Sequence, residues 1–487
     1  MTNLAYFLDH QATRKGKHPA IIDGKNVISY RKLAEKVKEW AAFLEELGFK
    51  EGDVIAVGLG DTADHLVMNW AIIRLGAIIL PIDHRWSNEE KINLINGFNS
   101  KGYVKDNENE GLFVGEILEV TLDNNFKENA KKKVLSNCFS EGWDGPMVLS
   151  LSSGTTGAPK GPALTHKQMA ARWLTQLISL GFTERDRYLS ATPLYFGGGR
   201  SFTLSATWCG ATVVMCPQPY KLETLIKLAI SEKATTLLLV PTILRRLLAL
   251  KKPDALLFPN LRLLLSTGSV LHKKEREQVM RYLCSNFINY YGSTEGGGIS
   301  ILTSDHGTMG EGSVGQVVFN TEVEIVDSNH RPLPIGSVGK LRYRGEGVAS
   351  GFYKNPEADV VGYRESWFYP GDLAYLNAEG FLFLSGREKE VIIRGAINIY
   401  PSEIEAVFLS HPEVDEAAAI GLEAFERGEE IGVFFVGSCN EQKLRVYVKE
   451  RIASYKVPKL IKKIDSIPKS ELGKVLTSEL KKLANNL

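Results

Sequence analysis

Residues 28–60, ISYRKLAEKVKEWAAFLEELGFKEGDVIAVGLG, decide the fold class. Leu33, Val37, Ala41 and Leu44 recur at helical spacing, Gly48 closes the helix, and the apolar run 54–57 has the length of a buried strand. MNWAIIRLGAIILPID (68–83) and ETLIKLAISEKATTLLLVPTILRRLLAL (223–250) repeat the theme. Helices alternating with buried strands predict α/β sheets with helices on their faces. Between these units, residues 101 to about 146 carry KDNENE and NNFKENAKKK and read as a polar surface excursion.

After Gly310 the texture changes. Residues 321–353, TEVEIVDSNHRPLPIGSVGKLRYRGEGVASGFY, alternate over short runs broken by Gly and Pro, which predicts a small β-barrel lobe. Another α/β unit follows in GREKEVIIRGAINIYPSEIEAVFLSHPEV (386–414). The junction near Gly386 divides the chain into a large domain, 1–386, and a small α+β lid, 387–487.

At 487 residues the chain is too long for one core. Its 44% hydrophobic and 24% charged residues are those of a globular protein, and a net charge of +1 argues against a surface that coats nucleic acid. Five cysteines lie far apart with no C-x-x-C pair, so neither a disulfide framework nor a zinc site is expected. The N-terminus meets charge within nine residues and no apolar run approaches the roughly 18 to 20 residues of a membrane span. The expectation is a cytoplasmic protein.

Five short stretches carry chemistry. SLSSGTTGAPKGPALTH (150–166) gathers hydroxyls, glycines and Lys160 into a loop suited to an anion, without the Gly-Lys-Ser/Thr of a Walker loop. YYGSTEGGG (290–298) follows the apolar NFINY and so sits at a strand end. There an aromatic can stack on a purine, a hydroxyl can bond phosphate, and Glu295 can hold Mg²⁺. WFYPGDLAYL (367–376) sets Asp372 after a glycine turn, where a carboxylate can accept ribose hydroxyls; alone it reads better as a capping or turn aspartate. LSGREKEVIIRGAINIYPSEIE (384–405) supplies Arg387, Lys389, Arg394 and Gly395, and IPKSELGKVLTSEL (467–480) supplies Lys474, in isolation an ordinary surface charge.

In this order and spacing the five stretches resemble the adenylate-forming superfamily of acyl-CoA synthetases, peptide-synthetase adenylation domains and luciferases. The resemblance spans nearly the whole chain. It implies an enzyme that joins a carboxylic acid to ATP as acyl-AMP, releases pyrophosphate, and passes the acyl group to the thiol of coenzyme A. It assigns Ser152, Ser153, Gly154, Thr155, Thr156, Gly157 and Lys160 to the β- and γ-phosphates. Thr294 falls to the α-phosphate, Glu295 to Mg²⁺, and Asp372 and Arg387 to the ribose end. Tyr291, Gly292, Ser293 and the STGS segment with Gly268 and Ser269 border adenine. Lys474, carried by the lid, reaches both carboxylate and ATP, and Lys389 is the hinge. Tyr195, Phe196 and Gly197 line the acyl pocket and suggest an apolar or aromatic acid; Gly395 and Ala396 border the thiol path.

Three positions depart from the family pattern. PLYFGGG (193–199) has Phe196 where histidine is frequent, Pro370 replaces a threonine before Gly371, and Ala396 stands where many relatives have glycine. Arg200 offers a partner for a second carboxylate, although a surface or structural arginine is the plainer reading. Two other functions fit the same motifs. One is an adenylating enzyme that loads a carrier protein, necessarily a separate one because thirteen residues follow Lys474. The other is a non-catalytic nucleotide-binding regulator, against which the joint retention of Lys160, Glu295, Asp372, Arg387 and Lys474 argues.

Overall fold

A computed structural model describes residues 3–106, 117–131, 133, 142–151, 161–250, 255–269, 271–394, 397–424, 428–470 and 473–485. The helix expected from residues 28–60 runs Tyr30–Glu46. Ser29 caps it by accepting the Lys32 amide, as an N-cap hydroxyl does. Leu33, Val37, Ala41 and Leu44 all lie on its buried face, where Leu33, Val37 and Leu44 each contribute about 1.5–3 kcal/mol of hydrophobic stabilisation. The apolar run becomes the buried strand Val54–Gly58.

Two large sheets form the main body. A nine-stranded sheet holds, in spatial order, Gln316–Val317, Gly297–Thr303, Phe287–Ser293, Leu263–Ser266, Thr236–Leu239, Arg187–Ser190, Thr212–Met215, Pro19–Asp23 and Asn26–Ser29. Its six central strands are parallel, so Ser190, Leu239, Ser266 and Ser293 all end at one edge. A six-stranded sheet holds Leu118–Thr121, Gly102–Lys105, Val54–Gly58, Ile78–Pro81, Pro146–Leu149 and Ala163–Thr165. The helix Ala63–Leu75 is buried around its whole circumference and shares a core with strands of both sheets. Apolar residues accordingly fall on every side of it, with His65, Asn69 and Arg74 buried among them.

The polar excursion is corrected. Residues 102–105 and 118–121 are parallel strands paired beside Val54–Gly58, and Asn124–Ala130 is a short helix against the core. Tyr103, Val104 and Val120 are buried. GYVK and LEVT each carry a charge of their own among polar flanks, and only the neighbouring strand makes their apolar residues worth burying.

Past the large sheets, six antiparallel strands between Glu322 and Arg387 form the lobe, with Gly339–Arg344 at its centre. Its last strand, Leu382–Arg387, runs into a single helical turn, Glu388–Glu390, that exposes Lys389. A separate sheet with its own core begins at Ile392. In that small unit His411 Nδ1 accepts the Glu413 amide at 3.2 Å. Its other nitrogen faces Cys439 Sγ at 3.8 Å, so a neutral ring offers the thiol a proton rather than a lone pair. The described cysteines Cys209, Cys216, Cys284 and Cys439 are free. No helix among the described residues is long and apolar enough to cross a membrane.

Candidate active site

Ligands of parallel α/β sheets bind beyond the carboxyl ends of the strands, and the motifs collect there. Tyr291 and Ser293 finish the strand Phe287–Ser293, and Gly268 and Ser269 follow Leu263–Ser266. Phe196 caps the helix Gly197–Cys209 in the loop after Arg187–Ser190.

The lobe contributes Asp372 and Arg387. They stand opposite one another on paired strands, and Arg387 Nε meets Asp372 Oδ1 at 2.9 Å. The other carboxylate oxygen accepts the Tyr291 hydroxyl at 2.5 Å, from the end of the large sheet. Asp372 is buried, and burial together with that carboxylate drives the Tyr291 phenol well above its ordinary range. Tyr291 is therefore a neutral donor. Three residues assigned to the nucleotide by three different motifs form one hydrogen-bonded unit.

Ser293, Thr294 and Glu295 occupy the turn into Gly297–Thr303. Arg172, on the helix that starts after Thr165, holds this turn by donating to the carbonyls of Thr294 (3.1 Å), Glu295 (2.5 Å) and Gly347 (2.7 Å). The Glu295 carboxylate itself has no hydrogen-bond or ion-pair partner among the described residues, so an anchored backbone presents a free anionic oxygen donor. That is what a hard divalent cation takes. Sequence reasoning missed Arg172; the signal was an arginine on the buried side of the helix following the anion loop.

Lys474 arrives from the small unit on a tight turn. Ser470 donates its amide to the Lys474 carbonyl at 2.8 Å, and Lys469 is tied to Glu416 at 2.6 Å. Gly473, at φ +78°, presses against the main body: a Cβ there would lie 2.8 Å from Thr242 Oγ1 and 3.1 Å from Ser269 Oγ. The Lys474 ammonium is held below the ordinary lysine range, first by desolvation in the cleft and then by the Arg387 charge, with Asp372 and Glu295 opposing. The charges of Arg387, Asp372 and Glu295 thus bear on Lys474, although nearly two hundred residues separate Glu295 from Lys474.

On the pocket side, Tyr195 is half-buried, with its hydroxyl 3.3 Å from Arg85 Nη2 and its ring 6.0 Å from that of Trp86. Arg200 is buried and donates to the carbonyls of Leu194 and Tyr195 and to Ser150 Oγ. It is a structural arginine that ties the pocket loop to the entry of the phosphate loop. Arg85 and Trp86 were not anticipated. The phosphate-loop residues Ser152 to Lys160, and Gly395 and Ala396, lie outside the described residues.

Comparison with known proteins defines the class. The AMP-binding enzyme family matches residues 8–353 and the AMP-binding enzyme C-terminal domain matches residues 403–474. The chain belongs to the AMP-binding enzyme family. The 2-succinylbenzoate–CoA ligase of Geobacillus kaustophilus is 27% identical over 503 residues, covering 99% of this chain and 98% of that one. A long-chain-fatty-acid–CoA ligase of Escherichia coli O6:H1 is 26% identical, covering 98% and 94%. The o-succinylbenzoate–CoA synthetase of Bacillus subtilis, solved with its acyl-adenylate intermediate, superposes with a TM-score of 0.86 at 26% identity over 99% and 98% of the two chains.

Proposed function

We propose that this chain is an AMP-forming acid–CoA ligase that makes an acyl-adenylate and then an acyl-CoA. The observation that carries the reading is the seat of the Lys474 turn on the main body: a Cβ on the adjacent Gly473 would lie 2.8 Å from Thr242 Oγ1 and 3.1 Å from Ser269 Oγ, just past the strand Leu263–Ser266. The chemical difficulty is that a carboxylate must attack a phosphorus already ringed with negative charge. An ammonium delivered there lowers that barrier, because it is in place before the charge develops.

In this reading Asp372 and Arg387 hold the ribose, and Tyr291, Gly292, Ser293, Gly268 and Ser269 border adenine. Thr294 bonds the α-phosphate. Ser152–Gly157 and Lys160 receive the β- and γ-phosphates that leave as pyrophosphate. Glu295 holds Mg²⁺, which when bound neutralises phosphate charge. Lys389, on the exposed turn between lobe and small sheet, is the hinge on which the lid 387–487 turns between the two half-reactions. The thiol then enters past Gly395 and Ala396. Tyr195, Phe196 and Gly197 receive an apolar or aromatic acyl group, and we place the enzyme in the cytosol.

The test is a pyrophosphate-release screen over carboxylic acids, with and without CoA. Acid-dependent release followed by acyl-CoA formation is expected. Release without acyl-CoA would give the acceptor role to a separate carrier protein, and no release with any acid would overturn the reading.

A further inference from the structure

Resting on the role proposed for Lys474, we propose that Ser470 is a positioning residue for that lysine: its hydroxyl and main chain together fix the root from which the ammonium reaches the cleft.

Among the described residues, Ser470 makes every hydrogen bond at that root. The Lys474 amide donates to Ser470 Oγ at 3.2 Å, and the Lys474 carbonyl accepts the Ser470 amide at 2.8 Å. The Ser470 carbonyl in turn accepts the Gly473 amide at 2.8 Å. Amide and carbonyl flank the Lys474 Cα atom, so holding both directs its Cα–Cβ bond. The ammonium itself has no hydrogen-bond or ion-pair partner among the described residues, and a lysine stem is flexible. The root therefore limits where the charge can go.

Ser470 can hold it because the chain on either side is anchored. Leu476 donates its amide to the Pro468 carbonyl at 2.9 Å, and Lys469 pairs with Val475 in an antiparallel bridge. Lys469 Nζ is tied at 2.6 Å to Glu416 on the strand Val414–Ala424. Ile467 and Leu480, before and after the turn, share a buried cluster with Ala418, Ile420 and Phe434. At the tip, Gly473 meets Thr242 and Ser269 of the main body. Lys474 is exposed, so water can take the place of a lost hydroxyl at its amide. Shortening Ser470 should then spare the fold while the lysine loses its direction.

The first measurement needs no acid. Lysines of the full-length protein are dimethylated with ¹³C-formaldehyde and titrated by nuclear magnetic resonance, and Lys474→Arg identifies the Lys474 signal by its loss. In the parent that signal should titrate below those of surface lysines. In Ser470→Ala it should rise to join them at an unchanged thermal midpoint, and in Ser470→Thr, which keeps the hydroxyl, it should stay. The second measurement uses the acid that releases most pyrophosphate in the screen above. Ser470→Ala should lower kcat for that release by about tenfold, inside the hundredfold that a misplacement of about 1 Å can cost. It should leave KM for ATP and thioester formation from synthetic acyl-adenylate unchanged, and add nothing in a Lys474→Ala background. A Lys474 signal that does not move, an unchanged kcat, or a loss that persists without Lys474 overturns the assignment. A parent that releases no pyrophosphate with any acid would instead sink the role proposed for Lys474, so the two failures are distinguishable.

Discussion

Asp372 and Arg387 face each other across two paired strands at 2.9 Å, and the Tyr291 hydroxyl completes the Asp372 carboxylate from another sheet. The carboxylate oxygens are aligned by the Arg387 guanidinium and the Tyr291 hydroxyl in the absence of any ligand. A diol that bonds this carboxylate meets a partner already desolvated and oriented.

Asp372→Ala is expected to weaken ATP binding by roughly 1.5–3 kcal/mol, the worth of hydrogen bonds to a charged group. Isothermal titration with ATP measures it. Unchanged affinity in the folded variant would return Asp372 to a turn residue.

Lys474→Ala should cut carboxylate-dependent pyrophosphate release by about two orders of magnitude or more. Supplied with synthetic acyl-adenylate and CoA, the same variant should form thioester at close to the parent rate. Charge also predicts a pH profile. The ammonium is the working form and its pKa is lowered, so adenylation should fail on the alkaline side below the pH at which a free lysine deprotonates. Lys474→Arg should remove that limb. A profile unchanged by Lys474→Arg would assign the limb to another group.

Gly473→Ala tests the seat of the lid. Positive φ and the 2.8 Å approach to Thr242 Oγ1 both oppose a methyl group. We expect adenylation to drop by about tenfold or more with a strain of order 1–2 kcal/mol, while thioester formation from acyl-adenylate is spared. Equal slowing of the two half-reactions would show that the contact is not specific to this pose.

Lys389→Pro should leave adenylation largely intact and slow thioester formation, because proline fixes φ where the lid must turn. Stopped-flow measurement of each half-reaction separates the outcomes, and equal losses would move the hinge elsewhere.

Periodicity alone determined the α/β class. The stripe from Leu33 to Leu44 and the run 54–57 can satisfy themselves only as a covered helix and a buried strand. The motifs suggested a chemistry only as a set, since alone Asp372 reads as a turn aspartate and Lys474 as a surface charge. The strands 102–105 (GYVK) and 118–121 (LEVT) were hidden, since such short mixed runs gain their stability from a neighbour that only the fold supplies. Arg172 was hidden for a related reason: an arginine reads as solvated until the carbonyls that receive it are brought near. Tertiary structure alone decided that Lys474, Arg387, Asp372 and Glu295 share one field. Sequence carries the identity of each charge, but electrostatic coupling depends on distance and on excluded water, and both exist only after the chain has folded.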